Sequence, residues 1–184
     1  MADTTAAPAA PASADHVILV DEADRPLGSA PKLDAHLDGG RLHRAFSVFV
    51  FDAAGRMLLQ RRAAGKYHFG GLWTNACCSH PGEGRPVADF ARARLRHELG
   101  IDVPLEPLLT FVYRAHDPAS GLTEHEFDHV LVGRFDGEPK PNPDEVDGYE
   151  WVGRAELLRD VRDNPGRYTP WFRIVLERVL QRVP

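Results

Sequence analysis

The chain has only two cysteines, and they are adjacent, Cys77 and Cys78. Neighbours in sequence rarely bridge because backbone geometry opposes it, so no disulfide framework exists and the pair reads as reduced thiols in a reducing compartment. A cysteine-rich structural zinc site is excluded with it. Long apolar runs are equally scarce. The longest, Phe46 to Phe51, has six residues and contains a serine, against the ~20 that a bilayer-spanning helix needs, so no membrane insertion is expected. The opening MADTTAAPAAPASAD has neither the positive start and Leu-rich stretch of a secretion signal nor the arginines of a transit peptide; the expected location is therefore cytoplasmic. A basic excess is missing too, since 22 Lys plus Arg face 27 Asp plus Glu for a net charge of −5. No nucleic-acid partner is expected, and any anionic ligand must find a local basic cluster.

The 184 residues suit one domain with a substantial core. Residues 1–14 are Ala, Pro, Thr and Ser, a composition that buries too little surface to offset ordering entropy and is expected to be a disordered tail. The domain then covers 15–184. HVILVD at 16–21 predicts a first strand, followed by turn chemistry in EADRPLGS. RAFSVFVFD at 44–52 and MLLQRR at 57–62 predict a hairpin across AAGR. From Ala63 to Arg85 the chain is rich in Gly, His, Cys, Asn and Pro, the kind of long irregular stretch that carries function in compact domains. Val87 to Leu99 places Phe90, Ala91, Leu95 and Leu99 at helical spacing before Gly100. Strands are expected at 108–116, 126–135 and 148–152, and Thr169-Pro170 opens a terminal helix with an apolar face of Phe172, Val175, Leu176, Val179 and Leu180.

Three features carry chemistry. Glu124 and Glu126 bracket His125, and period-2 geometry sends both carboxylates to one face of a strand. Two readings are open: a solvated strand edge, or like charges relieved by a cation or by a shared proton. Of the nine histidines, His36, His43 and His80 fall in loops or at strand ends, and with the two carboxylates they would form a mixed N/O site suited to Zn, Mn or Fe(II). Cys78 and His80 alternate in the same way, so thiol and imidazole share a side in an extended segment and Cys77 faces away. A thiol beside a metal or imidazolium is expected to have a lowered pKa, which suits Cys78 to proton transfer better than to packing. Glu98 and Arg94, four apart on the helix, read as an ordinary surface ion pair. Lys32, Arg61, Arg62 and Lys66 are candidates for the basic cluster.

The string GGLWTNACCSHPGEG and the helix ending RHELGI resemble the type I isopentenyl-diphosphate Δ-isomerases, a branch of the Nudix fold. The likeness extends through DAHLDGGRLHRAF, QRRAAGK, FVYRAHD, GLTEHEFDHVLVG, DEVDGYEWV and TPWF, in family order over roughly residues 15–175. It implies an α/β/α sandwich with a mixed sheet, and an isomerase of isoprenoid biosynthesis that takes the small molecule isopentenyl diphosphate to dimethylallyl diphosphate. Carried over by position, Cys78 and Glu126 are the catalytic pair, and His36, His43, His80, Glu124 and Glu126 hold a divalent ion, Mn²⁺, Zn²⁺ or Mg²⁺. Glu98 falls on the glutamate that helps hold Mg²⁺ beside the substrate diphosphate. Lys32, Arg62, Lys66, Ser79 and Arg94 fall on diphosphate contacts, and Tyr113 and Trp171 on aromatics near the reacting carbons. The helix reads ARLRHELG at 93–100, where pyrophosphohydrolases of the fold have further adjacent glutamates. With only Glu98 left, metal-activated water is poorly supported, which argues for the isomerase over a Nudix hydrolase; a non-catalytic metal- or diphosphate-binding module is the remaining alternative.

Overall fold

The computed structural model describes residues 16–183; the expected Ala/Pro tail over 1–14 lies outside them. The fold opens with a hairpin of β1 (His16–Val20) and β2 (Pro26–Pro31). Only the first half of EADRPLGS is turn. The rest is strand and runs straight into a short helix, α1 (Lys32–His36), too brief to give a periodic signal. Next come β3 (His43–Phe51) and β4 (Met57–Arg62). They are antiparallel, but the expected hairpin is a corner only, because they meet at Phe51 and Met57 alone. Beyond that corner β3 turns to β6 (Cys77–Ser79) and β8 (Thr123–Arg134), while β4 turns to β5 (Trp73–Thr74) and β9 (Val146–Val152). β7 (Glu106–His116) pairs antiparallel with β8.

The nine-stranded sheet is mixed: β3 and β8 run parallel, with His43 level with Glu126, and every other pairing is antiparallel. Both faces are covered. Phe46, Val48 and Val50 of β3 join Cys77 under Ala91, Leu95 and Leu99 of α2 (Val87–Leu99). Phe49 and Phe51 face the opposite layer, with Phe172, Val175 and Leu176 of α4 (Pro170–Leu180) and Leu157 of α3 (Arg154–Asp163). This is why β3 reads as an unbroken apolar run rather than an alternating one. Each fully buried Phe or Leu contributes roughly 1.5–3 kcal/mol. The helix ends where sequence predicts: Gly100 sits at φ 67° and its N–H reaches the Arg96 carbonyl, and a Cβ there would come within 3.0 Å of Lys140. Helix α3 follows strand β9 directly and has only Leu157 buried, which leaves too faint an apolar stripe to recognise from sequence. Among the described residues no helix is long and apolar enough to cross a membrane.

Candidate active site

The face of β3, β6 and β8 that looks toward α4 changes character along its length. It is aromatic and aliphatic at Phe49, Phe51 and Val130, then polar at Ser47, Asp128 and Cys78, then ionisable at His43, Glu126, Glu124 and His80. The alternation of an extended chain produces this row: odd positions of β3, even positions of β8 and Cys78 of β6 share one side. At its ionisable end His36, His43, His80, Glu124 and Glu126 bring one ligand atom each to within 4.8 Å of one another, four of the residues buried and His80 partly so. His36 closes the ring from the end of α1. The solvated-edge reading of Glu124 and Glu126 is thereby excluded, since they are 3% and 7% exposed.

Two of the histidines have their tautomer set from outside the cluster. His36 Nδ1–H donates to the Lys32 carbonyl at 2.6 Å and His43 Nδ1–H to the Arg41 carbonyl at 2.8 Å. Both Nε2 atoms therefore point inward, where a neutral imidazole offers a lone pair to a cation and a protonated one donates to a facing carboxylate. His36 Nε2 faces Glu124 Oε2 at 2.9 Å, His43 Nε2 faces His80 Nε2 at 3.1 Å, and His80 Nε2 faces Glu126 Oε1 at 2.9 Å. Imidazoles and carboxylates packed at these distances share positive charge, as protons between them or as a bound cation, and the donor set fits a divalent ion of the borderline kind. Burial pushes the carboxylate pKa values up, but bonded imidazoles outweigh it and hold Glu124 well below its usual range. Glu126 is lowered as well, against burial and the adjacent Glu124 charge, by His43 and His80. Burial lowers His80 to about 4.

Next along the row, Cys78 Sγ lies 3.1 Å from Asn75 Nδ2, 3.2 Å from Asn75 Oδ1 and 3.5 Å from Ser47 Oγ. Asn75 is itself anchored to the carbonyls of Val48 and Cys77, and Ser47 donates to Asp128 Oδ2 at 2.6 Å. Burial, then the Asp128 charge, push Cys78 up to about 12, opposite to the lowering expected of a thiol beside a cation. The thiol holds its proton. Tyr113 Oη donates to Glu126 Oε2 at 2.5 Å, and its ring tilts against Trp171 at 6.2 Å. Trp171 is 2% exposed, with the Arg62 guanidinium 5.4 Å over its ring.

Lys32, Arg62, Lys66, Ser79 and Arg94 line the same cavity as Cys78, His80, Glu124, Glu126, Tyr113 and Trp171. The basic cluster is thus local, in a chain of net negative charge. Arg61, by contrast, lies outside that lining and stacks on Trp73. Burial lowers Lys66 to about 8, with Arg62, Arg94 and Lys32 adding to the effect. Glu98 is not on the surface as expected but 2% exposed; Arg94 Nε bonds Oε1 at 2.5 Å and Gln60 Nε2 bonds Oε2 at 2.9 Å. It stands apart from the five-ligand ring.

The chain has close relatives in sequence. Residues 41–172 match the NUDIX domain. The chain is 55% identical to isopentenyl-diphosphate Delta-isomerase 2 of Aromatoleum aromaticum, over 90% of this chain and 87% of that protein. It is 51% identical to isopentenyl-diphosphate Delta-isomerase of Nocardia farcinica, over 88% and 92%. The chain belongs to the isopentenyl-diphosphate Δ-isomerase family. Among solved structures, the Deinococcus radiodurans protein DR0079 superposes with a TM-score of 0.65 at 22% identity, covering 81% of this chain and 90% of that one, a likeness of fold.

For an isomerase of this family, the sequence reading missed several groups. Ser47 and Asn75 hold Cys78, but a lone serine in an apolar strand and an asparagine in a loop have no pattern that points to a thiol. Asp128 continues the row of Glu124 and Glu126 at the same period, a signal that was present. His68 and Tyr67 line the cavity, and His68 Nε2 bonds Glu124 Oε1. Through Lys66, Tyr67 and His68 the GKYHFGG loop at 65–71 borders the site. His68 Nδ1 and Trp171 Nε1, both on residues of the cavity wall, are buried polar atoms without a partner. Such atoms belong to a site shaped around polar contents that protein atoms do not supply.

Proposed function

We propose that this isopentenyl-diphosphate Δ-isomerase interconverts isopentenyl and dimethylallyl diphosphate for isoprenoid biosynthesis through a proton pair, Cys78 and Glu126, working at the two reacting carbons. An isolated alkene is a very weak base. Moving its double bond needs a positioned acid at the terminal carbon, a base at the allylic carbon and tolerance of a tertiary carbocation between the two steps. The observation that carries this reading is that the Cys78 thiol, held from two sides by Asn75 and Ser47, and the Glu126 carboxylate, held by Tyr113 and His80, line one cavity walled by Trp171. By microscopic reversibility the group that donates in one direction accepts in the other. Trp171 offers its π-face to the cation, a contact worth about 2 kcal/mol or more when desolvated.

His36, His43, His80, Glu124 and Glu126 would hold a divalent ion, Mn²⁺, Zn²⁺ or Mg²⁺, which when bound supplies positive charge that fixes the Glu126 carboxylate and tunes its basicity. Lys32, Arg62, Lys66, Ser79 and Arg94 grip the diphosphate. Glu98 would help hold the Mg²⁺ that travels with it once Arg94 turns from the carboxylate to phosphate oxygens. Remote binding of this kind places the hydrocarbon between acid and base without taking part in the chemistry. The allylic product ionises readily in water, so burial of the reacting end also guards the product.

Incubation with isopentenyl diphosphate and Mg²⁺ tests the reading. An isomerase yields an acid-labile allylic diphosphate; release of phosphate would mark a Nudix hydrolase, and unchanged substrate a binding module. Either of the latter outcomes overturns the proposal.

A further inference from the structure

Residues 63–72 join β4 to β5 and deliver one side chain deep into the metal-ligand cluster. His68 is 7% exposed, in a loop where half of the positions, Tyr67 beside it among them, are exposed. Its Nε2 bonds Glu124 Oε1, while Glu124 Oε2 faces His36 Nε2 at 2.9 Å. A carboxylate only accepts, so His68 carries its proton on Nε2. Its Nδ1 then presents a lone pair that no protein atom meets. The loop is constrained to make this contact: the next residue, Phe69, has φ 48°, a left-handed conformation that costs energy for a bulky side chain and persists only where the surroundings impose it. Here they do. Phe69 N–H donates to Asp117 Oδ2 at 3.0 Å, Arg62 donates to the carbonyls of Phe69 and His68 at 3.1 and 3.2 Å, and the Phe69 ring packs edge-on against Trp171 at 5.4 Å.

We infer that His68 is a positioning residue for Glu124: by occupying Oε1 it leaves Oε2 as the single oxygen presented to the ion. The inference rests on the five-ligand reading of the site. An unclamped carboxylate at this place is free to rotate or to chelate through both oxygens, and either change repositions the ion relative to Glu126. The left-handed Phe69, held by Asp117, Arg62 and Trp171, keeps the preceding His68 turned toward Glu124. His68 is also the residue through which the diphosphate side of the cavity is tied to the metal side, because Arg62 holds its carbonyl while its ring holds Glu124.

The test is Mn²⁺ binding to the chelator-stripped full chain, followed by calorimetry and by the electron paramagnetic resonance spectrum of the bound ion, for wild type, His43→Ala, His68→Leu and His68→Gln. Wild type should bind one high-affinity Mn²⁺ that His43→Ala loses. His68→Leu, which fills the space without a donor, should bind about 10- to 100-fold more weakly and with an altered zero-field splitting, and His68→Gln, which restores an N–H donor, should recover most of the affinity. If wild type shows no His43-dependent binding, the five-ligand reading fails, and this inference with it. If wild type binds but His68→Leu matches it within twofold, or His68→Gln is no better than His68→Leu, the role of His68 alone is refuted. Nitrogen-15 imidazole spectra of the wild-type protein give a check that needs no variant: a His68 protonated on Nδ1 alone, with Nε2 bare, would overturn the clamp.

Discussion

Cys77 and Cys78 allow one substitution to serve as the internal control for the other. Cys78 Sγ sits in the cavity among Asn75, Ser47 and the aromatic wall, whereas Cys77, on the other face of β6, is fully buried against α2 with Ala91 and Leu95. On the proposed role of Cys78 in proton transfer, Cys78→Ala should cost ~10²- to 10⁴-fold in kcat, or roughly 2.7–5.4 kcal/mol of barrier at ~1.36 kcal/mol per decade. Its effect on folding should be small, because the Asn75 amide keeps its carbonyl partners. Cys77→Ala removes one heavy atom from a packed core, a change of about 0.5–1.5 kcal/mol in stability, and in a domain of this size lowers Tm by about 2–4 °C per kcal/mol; its kcat should stay within about twofold. The assay is conversion of isopentenyl diphosphate to the acid-labile product, with bound metal measured on the same samples so that lost ion is not mistaken for lost proton transfer. If Cys78→Ala turned over at near wild-type rate while Cys77→Ala did not, the alternation that places Cys78 in the site would be wrong.

Three further outcomes are expected. Tyr113→Phe removes the 2.5 Å donor from Glu126 Oε2, a charge-assisted bond worth about 1.5–3 kcal/mol, so kcat should fall roughly ten- to hundredfold with little change in KM; an unchanged kcat would exclude the bond from the reaction. Because burial lowers Lys66 to about 8, the free enzyme loses this cation as pH rises through that value, and kcat/KM should drop about tenfold per pH unit above it. Lys66→Arg, which stays charged, should move that alkaline limb upward; a limb that does not move assigns it elsewhere. Stripping divalent ions with a strong chelator should abolish turnover and lower Tm, since an ion present at 100 times its Kd stabilises the folded state by ~2.7 kcal/mol; full activity in the presence of chelator would sink the metal reading.

Much of this was legible before any coordinates, and the reasons differ by element. Helix α2 was readable to its last residue because Gly100 stops it and Leu95 and Leu99 repeat at helical spacing. The shared face of Glu124 and Glu126 and the opposition of Cys77 and Cys78 follow from strand alternation alone. What alternation cannot give is which strands lie side by side. That β3 leaves its hairpin partner after one residue pair to run parallel with β8 is a tertiary outcome, and it decides whether His43 meets Glu126. The burial of Glu98 had the same cause: an Arg–Glu pair on a helix looks identical whether the helix face is open or covered, and here Gln60 of β4 lies beneath it. The direction of the Cys78 pKa was not legible, because burial and the Asp128 charge, which raise it, depend on packing that alternation does not give. His68 was invisible because its place depends on a left-handed Phe69, a conformation that no bulky residue announces.

The parallel seam between β3 and β8 bears on how the protein reaches its native state. His43 and Glu126 are level in the ladder yet lie about eighty residues apart along the chain, so joining them closes one of the longest loops in the molecule, a cost paid in chain entropy before any contact compensates it. The groups of the candidate metal cluster sit at that closure, with His43 on one side and Glu124 and Glu126 on the other. An ion captured there rewards the correct zippering of these two strands and no other, for a slip of one position turns His43, or both carboxylates, to the far side of the sheet. On the proposed metal reading, metal supply would act on folding as a check on strand alignment, and refolding without divalent ions should yield a slower or more heterogeneous return of the native fold than refolding with them.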